Sequence, residues 1–202
     1  MEKEITVFVK KLNENAVIPT YAHEGDVGMD ITAIGVEYDE EKDMYIYHTG
    51  LSFESDFNIG DFIFVRSSNR KTDAYLCNHV GIVDSAIYRG EVMICMKNRD
   101  SLETITEINA LKSFMDGLCI ISRCDHNMNL KDATEHAFEV YKLTKEDYVK
   151  RAKNLEFAPY KVGDKIAQMV CLKYPTVKLV EKNELSETER GEGGFGSTDK
   201  KE

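Results

Sequence analysis

Three short stretches of the chain carry side chains that could do chemistry together. In NHVGIVDSAIYRGEV, residues 78–92, Asp84 follows an apolar run and precedes Tyr88. A carboxylate can hold a water molecule and take its proton; Asp84 can equally be a turn aspartate. In VRSSNR, residues 65–70, Arg66 stands before Ser67 and Ser68. A guanidinium offers rigid, charge-assisted donors to phosphate oxygens, and two hydroxyls can donate to the same group. By itself the triplet also reads as a surface arginine followed by turn serines. In RGEGGFGSTDK, residues 190–200, glycines surround Phe195, with Arg190 ahead and Gly196, Ser197 and Thr198 behind. Glycines let backbone N–H groups approach an anion closely. Two further polar residues sit in strand-like contexts. Asp30 ends EGDVGMD, and Gln168 lies in KIAQMV, where an amide can donate without adding charge.

Rigid elements must present these side chains, and much of the chain reads as β. Short apolar runs at 5–9, 30–36, 44–47, 61–65 and 91–96 alternate with turns carrying Gly, Asn or Asp. That spacing predicts a sandwich, jelly roll or barrel. The pattern returns at 165–172 and at 176–180. Residues 99–158 differ. Leu102, Ile105, Ile108, Leu111 and Met115 recur at helical spacing, 118–122 could form a strand, and 130–157 is helix-compatible. An α-rich block inside a β-rich chain reads as an insertion that leaves and rejoins one loop. The expected layout is a β core of 1–98 and 159–185, an insertion at 99–158, and a flexible C-terminal arm at 186–202.

The 202 residues, 42% hydrophobic and 31% charged, suffice for one domain with its own core. A formal charge of −10 disfavours nucleic acid and anionic lipid surfaces, although a pocket can be locally positive. No run of about 18 apolar residues exists, and the start resembles no secretory signal. The five cysteines, Cys77, Cys95, Cys119, Cys124 and Cys171, are odd in number and irregularly spaced. They read as free thiols of a reducing, cytoplasmic compartment. Cys119 and Cys124 with His126 and His136 fit no zinc spacing.

Five segments, in order, resemble the five motifs of the trimeric deoxyuridine triphosphatases (dUTPases): 24–33, 65–70, 78–92, 162–170 and 190–198. The resemblance covers most of 16–98 and 159–198 and skips the insertion. It implies an all-β fold, a distorted jelly-roll barrel with an α-rich insertion. It implies a homotrimer with three shared active sites and hydrolysis of dUTP to dUMP and pyrophosphate, with Mg2+ held mainly by substrate phosphates and water and no protein metal ligand. It places the protein in the cytoplasm, the host's if phage-encoded.

Carried over residue by residue, the resemblance makes Asp84 the general base that aims water at the α-phosphorus. Arg66, Ser67, Ser68 and Gln168 bind the phosphate chain. Asn78 and Gly81 belong to the hairpin that reads uracil, and Tyr88 stacks on the deoxyribose. Phe195 covers the base, while Arg190, Gly196, Ser197 and Thr198 close on the outer phosphates. Asp30 supports the site's water and metal network. Three departures stand out. Val65 replaces the usual proline, Asp199 a usual glycine, and three residues instead of two separate Asp84 from Tyr88. Two other readings share the fold. A dCTP deaminase would need a glutamate where this chain has Cys95. A nucleotide-gated regulatory protein would grip a protein partner through 99–158.

Overall fold

The computed structural model describes residues 4–99, 102–123, 130–189 and 191–192. Ten strands follow the β-branched and aromatic runs, all in antiparallel pairs. They are β1 (Val7–Lys11), β2 (Met29–Thr32), β3 (Gly35–Asp39), β4 (Met44–His48), β5 (Leu51–Ser55), β6 (Ile59–Val65), β7 (Ala74–Leu76), β8 (Gly81–Val83), β9 (Met93–Asn98) and β10 (Lys165–Lys173). One sheet has the order β2-β10-β6-β8, a second β3-β4-β9-β7, and β1 pairs with β5 alone. Two helices, α1 (Leu102–Arg123) and α2 (Leu130–Lys153), separate β9 from β10. The architecture is therefore mixed: antiparallel sheets with an inserted helical region. None of the described helices is long and apolar enough to cross a membrane.

The structure corrects three sequence expectations. Residues 30–36 form two strands, because the chain turns at Ala33, whose N–H and C=O bond Asp164 and Gly163. Residues 118–122 continue α1 instead of forming a strand. Residues 176–180 form no strand: Val177, Leu179 and Val180 are exposed, with no sheet edge beside them in this chain.

The core lies between the sheets. Tyr45, Tyr47, Ile31, Leu51, Ile94, Met96 and Ile166 are fully buried there, each worth about 1.5–3 kcal/mol on burial. Tyr47 fixes the return from the helices. Its hydroxyl donates to the Tyr160 carbonyl and accepts from the Tyr160 N–H, both at 3.0 Å. Asp43 fixes the departure. Its carboxylate takes the Leu102 N–H at the start of α1 (2.7 Å), the Tyr38 hydroxyl (2.6 Å) and the Tyr148 hydroxyl of α2 (3.4 Å). The helical segment leaves and rejoins the sheets at nearly one point, since Asn98 Nδ2 donates to the Phe157 carbonyl at 2.9 Å. Leu102 and Ile105 pack on the core, whereas Ile108, Leu111 and Met115 remain exposed.

Candidate active site

Two clefts gather the described candidate residues, and no residue lines both. The first, of about 380 Å³, is lined by Asp30, Arg66, Ser67, Gln168, Gly28 and His23, among others. Strand pairing builds it. In β10, Gln168 stands opposite Asp30 of β2 on one side and Phe64 of β6 on the other. Arg66 follows β6 directly and leads into a 3₁₀ turn at Ser67–Lys71. Gln168 Nε2 donates to the Val65 carbonyl at 3.3 Å. Gly28 lies close beneath it: an added Cβ would lie 3.0 Å from Gln168 Oε1, so a side chain there would push the amide aside.

Arg66 is already oriented. Its Nε donates to Asp30 Oδ1 at 2.7 Å, and its Nη1 donates to Ser68 Oγ and to the Lys165 carbonyl, both at 3.2 Å. A long 3.5 Å bond from Nη2 to Asp30 Oδ2 completes the grip. Of the five guanidinium hydrogens, one on Nη2 is uncommitted among the described residues. Lys165 adds a second cation, with Nζ 2.8 Å from Asp30 Oδ2. Burial alone would raise the Asp30 carboxyl, but the bonds from Lys165 and Arg66 outweigh it and hold the group below the usual carboxylate range. Two cations thus flank the Asp30 carboxylate. Asp26 also lines the cleft, so what is left for an anionic ligand is the uncommitted Arg66 N–H together with the Ser67 hydroxyl and the Gln168 amide.

The second cleft, of about 580 Å³, contains Asn78, Gly81, Asp84 and Tyr88, with Ile63, Val83 and Ile94 as apolar walls. Gly81 opens β8 against β6, where a Cβ would sit 3.0 Å from Ile63 Cβ. Asp84 lies just past β8. The extra residue between Asp84 and Tyr88 is absorbed by one helical turn: the Asp84 carbonyl accepts from the N–H of Ile87 (2.9 Å) and of Tyr88 (2.8 Å). The turn brings Tyr88 back to the cleft that Asp84 lines. Ser85 inside the turn is fully buried, its Oγ 2.6 Å from Ser55 Oγ. Tyr88 is half-exposed and folds onto Gly90, and its hydroxyl donates to the Glu91 carbonyl at 3.0 Å.

Within one chain the structure therefore joins Asn78, Gly81, Asp84 and Tyr88, and separately joins Asp30, Arg66, Ser67 and Gln168, with Ser68 bonded to Arg66. It does not place Asp84 in the arginine cleft. Arg190, Phe195, Gly196, Ser197 and Thr198 lie outside the described residues, as do Cys124 and His126. Lys165, Arg89 and Cys77 were not anticipated at these sites, whereas Cys95 lines the second cleft, at the position where a deaminase would need a glutamate. Lys165 opens the predicted strand 165–172, so its approach to Asp30 was readable from β pairing had the register been known. Among the described residues, no group of three or more His, Cys, Asp or Glu stands close enough to hold a metal ion.

These features define a class: antiparallel sheets with an inserted helical region, an arginine- and hydroxyl-bearing cradle, and a separate cleft that carries a carboxylate just past β8. A dUTPase family profile matches residues 153–199. The deoxyuridine 5'-triphosphate nucleotidohydrolase of Trichodesmium erythraeum is 30% identical over 191 residues, covering 94% of this chain and 96% of the relative. That of Alkaliphilus metalliredigens is 28% identical over 191 residues, with 94% of each covered. The chain belongs to the dUTPase family. Among solved structures it shares its fold with the Staphylococcus bacteriophage 80alpha dUTPase, at a TM-score of 0.59 and 20% identity over 96% of this chain and 98% of that one. A phage phi11 dUTPase described with a species-specific insert gives a TM-score of 0.52 at 20% identity, over 91% and 99%.

Proposed function

We propose that the protein hydrolyses dUTP to dUMP and pyrophosphate in a site assembled from neighbouring copies of the chain. The observation that carries this reading is the division of the candidate residues between two clefts. A dUTP molecule needs a base and sugar pocket continuous with a phosphate grip. One chain offers the first around Asn78 and Tyr88 and the second around Arg66, at different places. A homotrimer whose sites each combine cleft walls from different chains satisfies both needs. The exposed run at 177–185, with Val177, Leu179, Val180 and Leu185 uncovered, suits an arm that crosses to a neighbour. In the same reading the sheets close as a distorted jelly-roll barrel. The β core of 1–98 and 159–185, the insertion at 99–158 and the arm at 186–202 are the proposed units.

In this mechanism Asp84 orients a water toward the α-phosphorus and takes its proton. Its neighbours Val83 and Ile63 keep bulk water from one side of the cleft. Asn78, Gly81 and the backbone of residues 78–88 read the uracil edge. A cytosine amino group would face a backbone donor, a mismatch of a few kcal/mol. Tyr88 packs against the deoxyribose and excludes a 2′-hydroxyl. Arg66, already aimed by Asp30, meets the phosphate chain with Ser67, Ser68 and Gln168 and stabilises charge as the bond breaks. Arg190, Phe195, Gly196, Ser197 and Thr198 then close over the bound nucleotide. Mg2+, with phosphate and water oxygens as its natural donors, would neutralise triphosphate charge; Asp30 can order water beside it.

Deamination of dCTP is disfavoured by Cys95. It lines the Asp84 cleft where that chemistry needs a carboxylate, and burial pushes its thiol pKa up. The exposed Ile108, Leu111, Met115, Phe138 and Leu143 of the helices leave a surface through which 99–158 can meet a protein partner. A cytoplasmic setting suits three thiols that are free among the described residues. The test is pyrophosphate release from dUTP, dCTP, dTTP and UTP in parallel, with and without Mg2+. Turnover of dUTP alone supports the reading; ammonia from dCTP or equal turnover of UTP overturns it.

A further inference from the structure

The turn that carries Asp84 and Tyr88 has an unusual debt. One helical turn fixes several backbone angles for very few hydrogen bonds, so by itself it is unfavourable. It also ends with carbonyls that no following turn can satisfy. Arg89 meets both problems. Its Nη1 donates to the carbonyls of Ser85 (2.7 Å) and Tyr88 (2.9 Å), and its Nη2 donates to that of Ala86 (3.2 Å). A cation at the carbonyl end of a helical turn is also where the peptide dipoles favour one.

Strand β5 holds the arginine and the turn from behind. Glu54 Oε1 lies 3.4 Å from Arg89 Nη2, Ser52 Oγ donates to the Arg89 carbonyl at 2.9 Å, and the Ser55 N–H donates to the Ser85 carbonyl at 3.3 Å. On the far side, Gly90 lets the Tyr88 ring fold over the backbone. A Cβ there would lie 2.3 Å from the Tyr88 hydroxyl oxygen and 2.5 Å from Cζ. The ring is thus set between a stapled turn and a bare glycine.

We propose that Arg89 is a positioning residue. It stands in for the missing next turn of helix and so fixes the spacing of Asp84 and Tyr88 despite the additional residue between them. This rests on the proposed dUTP reaction for its kinetic consequence, but the staple itself is a backbone property. The sequence gives Arg89 no such role; only the carbonyl geometry does.

The test compares the wild-type protein with Arg89→Ala and Arg89→Lys. Hydrogen exchange of the peptide covering 81–92 reads the turn directly. The Ile87 and Tyr88 amides should exchange at least about tenfold faster in Arg89→Ala, because local opening governs their protection. Turnover of dUTP and of UTP reads the consequence. A shift of about 1 Å in a reacting group can cost roughly 100-fold, so kcat for dUTP should fall by about 10–100-fold with KM little changed, and the dUTP preference over UTP should narrow. Lysine keeps the charge but not the fork and should restore only part. Added guanidinium ion should partly rescue Arg89→Ala. Unchanged exchange at 87–88 in Arg89→Ala overturns the staple. So does wild-type sugar discrimination in a variant whose activity and melting temperature fall together without rescue. If the wild-type protein releases no pyrophosphate from dUTP, the proposed reaction fails while the exchange result still decides the staple.

Discussion

Asp30 is the keystone of the phosphate cradle, and Asp30→Asn isolates its charge with almost no change in shape. The asparagine can still accept from Arg66 Nε, but it turns an amide N–H toward Lys165 or Arg66 and leaves two cations facing each other. The carboxylate side chain is 12% exposed, that of Arg66 27% and that of Lys165 51%. Hydrogen bonds to charged groups contribute about 1.5–3 kcal/mol, which applies to the well-covered Arg66 contact. The Lys165 pair is half in water and contributes at most about 1 kcal/mol. The substitution should therefore cost about 2–3 kcal/mol, a fall of roughly 4–12 °C in melting temperature for a chain of this size. The pH dependence follows from the sign of the shift. The folded carboxyl titrates below its usual value, so its stabilisation is full above the unfolded pKa of about 3.9 and is lost as pH falls through the lower folded value. Thermal melts of both proteins from pH 3 to pH 8 should differ by a constant amount down to about pH 5 and converge below about pH 4. Equal melting temperatures at pH 7, or a gap that persists undiminished at pH 3, would refute the assignment of Asp30 as the charge that holds Arg66 and Lys165.

Removal of residues after Leu185 should cut dUTP turnover strongly while leaving the assembly state unchanged by light scattering; an unaltered rate would show the arm to be idle. Cys77 and Cys95 line the Asp84 cleft, and burial pushes both thiols above their ordinary range. Iodoacetamide should therefore label them more slowly than free cysteine at pH 8, faster as pH rises, and more slowly again with dUTP present. Labelling that ignores nucleotide would place the nucleoside elsewhere.

How far the sequence announced this molecule depends on whether the signal was local. Runs such as 61–65 and 91–96 are rich in apolar and β-branched or aromatic residues and bounded by turn residues, and strands appear within two residues of them, β6 at Ile59–Val65 and β9 at Met93–Asn98. The run 118–122 shares that apolar character, yet it extends a helix already propagating from Leu102; a short apolar run does not distinguish the two states. The run 176–180 has strand composition but no partner edge within its own chain, and pairing cannot be read from composition. At the site, Asp84, Tyr88, Asn78 and Gly81 are close in sequence, so one short segment, crossing from β7 of one sheet to β8 of the other and on into the next turn, gathers them. The hairpin expected there does not form, because β8 pairs with β6 and β7 with β9. Asp30, Arg66 and Gln168 depend on the register of β10 between β2 and β6, which no single segment encodes. Arg89 was invisible because its role is to satisfy carbonyls that exist only once the turn has formed.

The separation of the clefts can itself be put to a test that no single-chain site would pass. Asp84→Asn removes the base and should abolish turnover while leaving nucleotide binding largely intact. Arg66→Ala removes the phosphate grip. Each variant alone should be inactive. When the two are unfolded, mixed in equal amounts and reassembled, every chain still carries one lesion. If Asp84 and Arg66 served the same site from the same chain, no combination would restore activity. If they come from different chains of a closed ring, independent drawing of each partner leaves about a quarter of the sites with both residues intact. Recovery near that fraction, lost again when the variants are assembled separately and then mixed, would establish that the working unit is the assembly. Complete inactivity of the mixture, with mixed assemblies demonstrated by mass spectrometry, would mean that the arginine cradle and the Asp84 cleft of one chain serve one site.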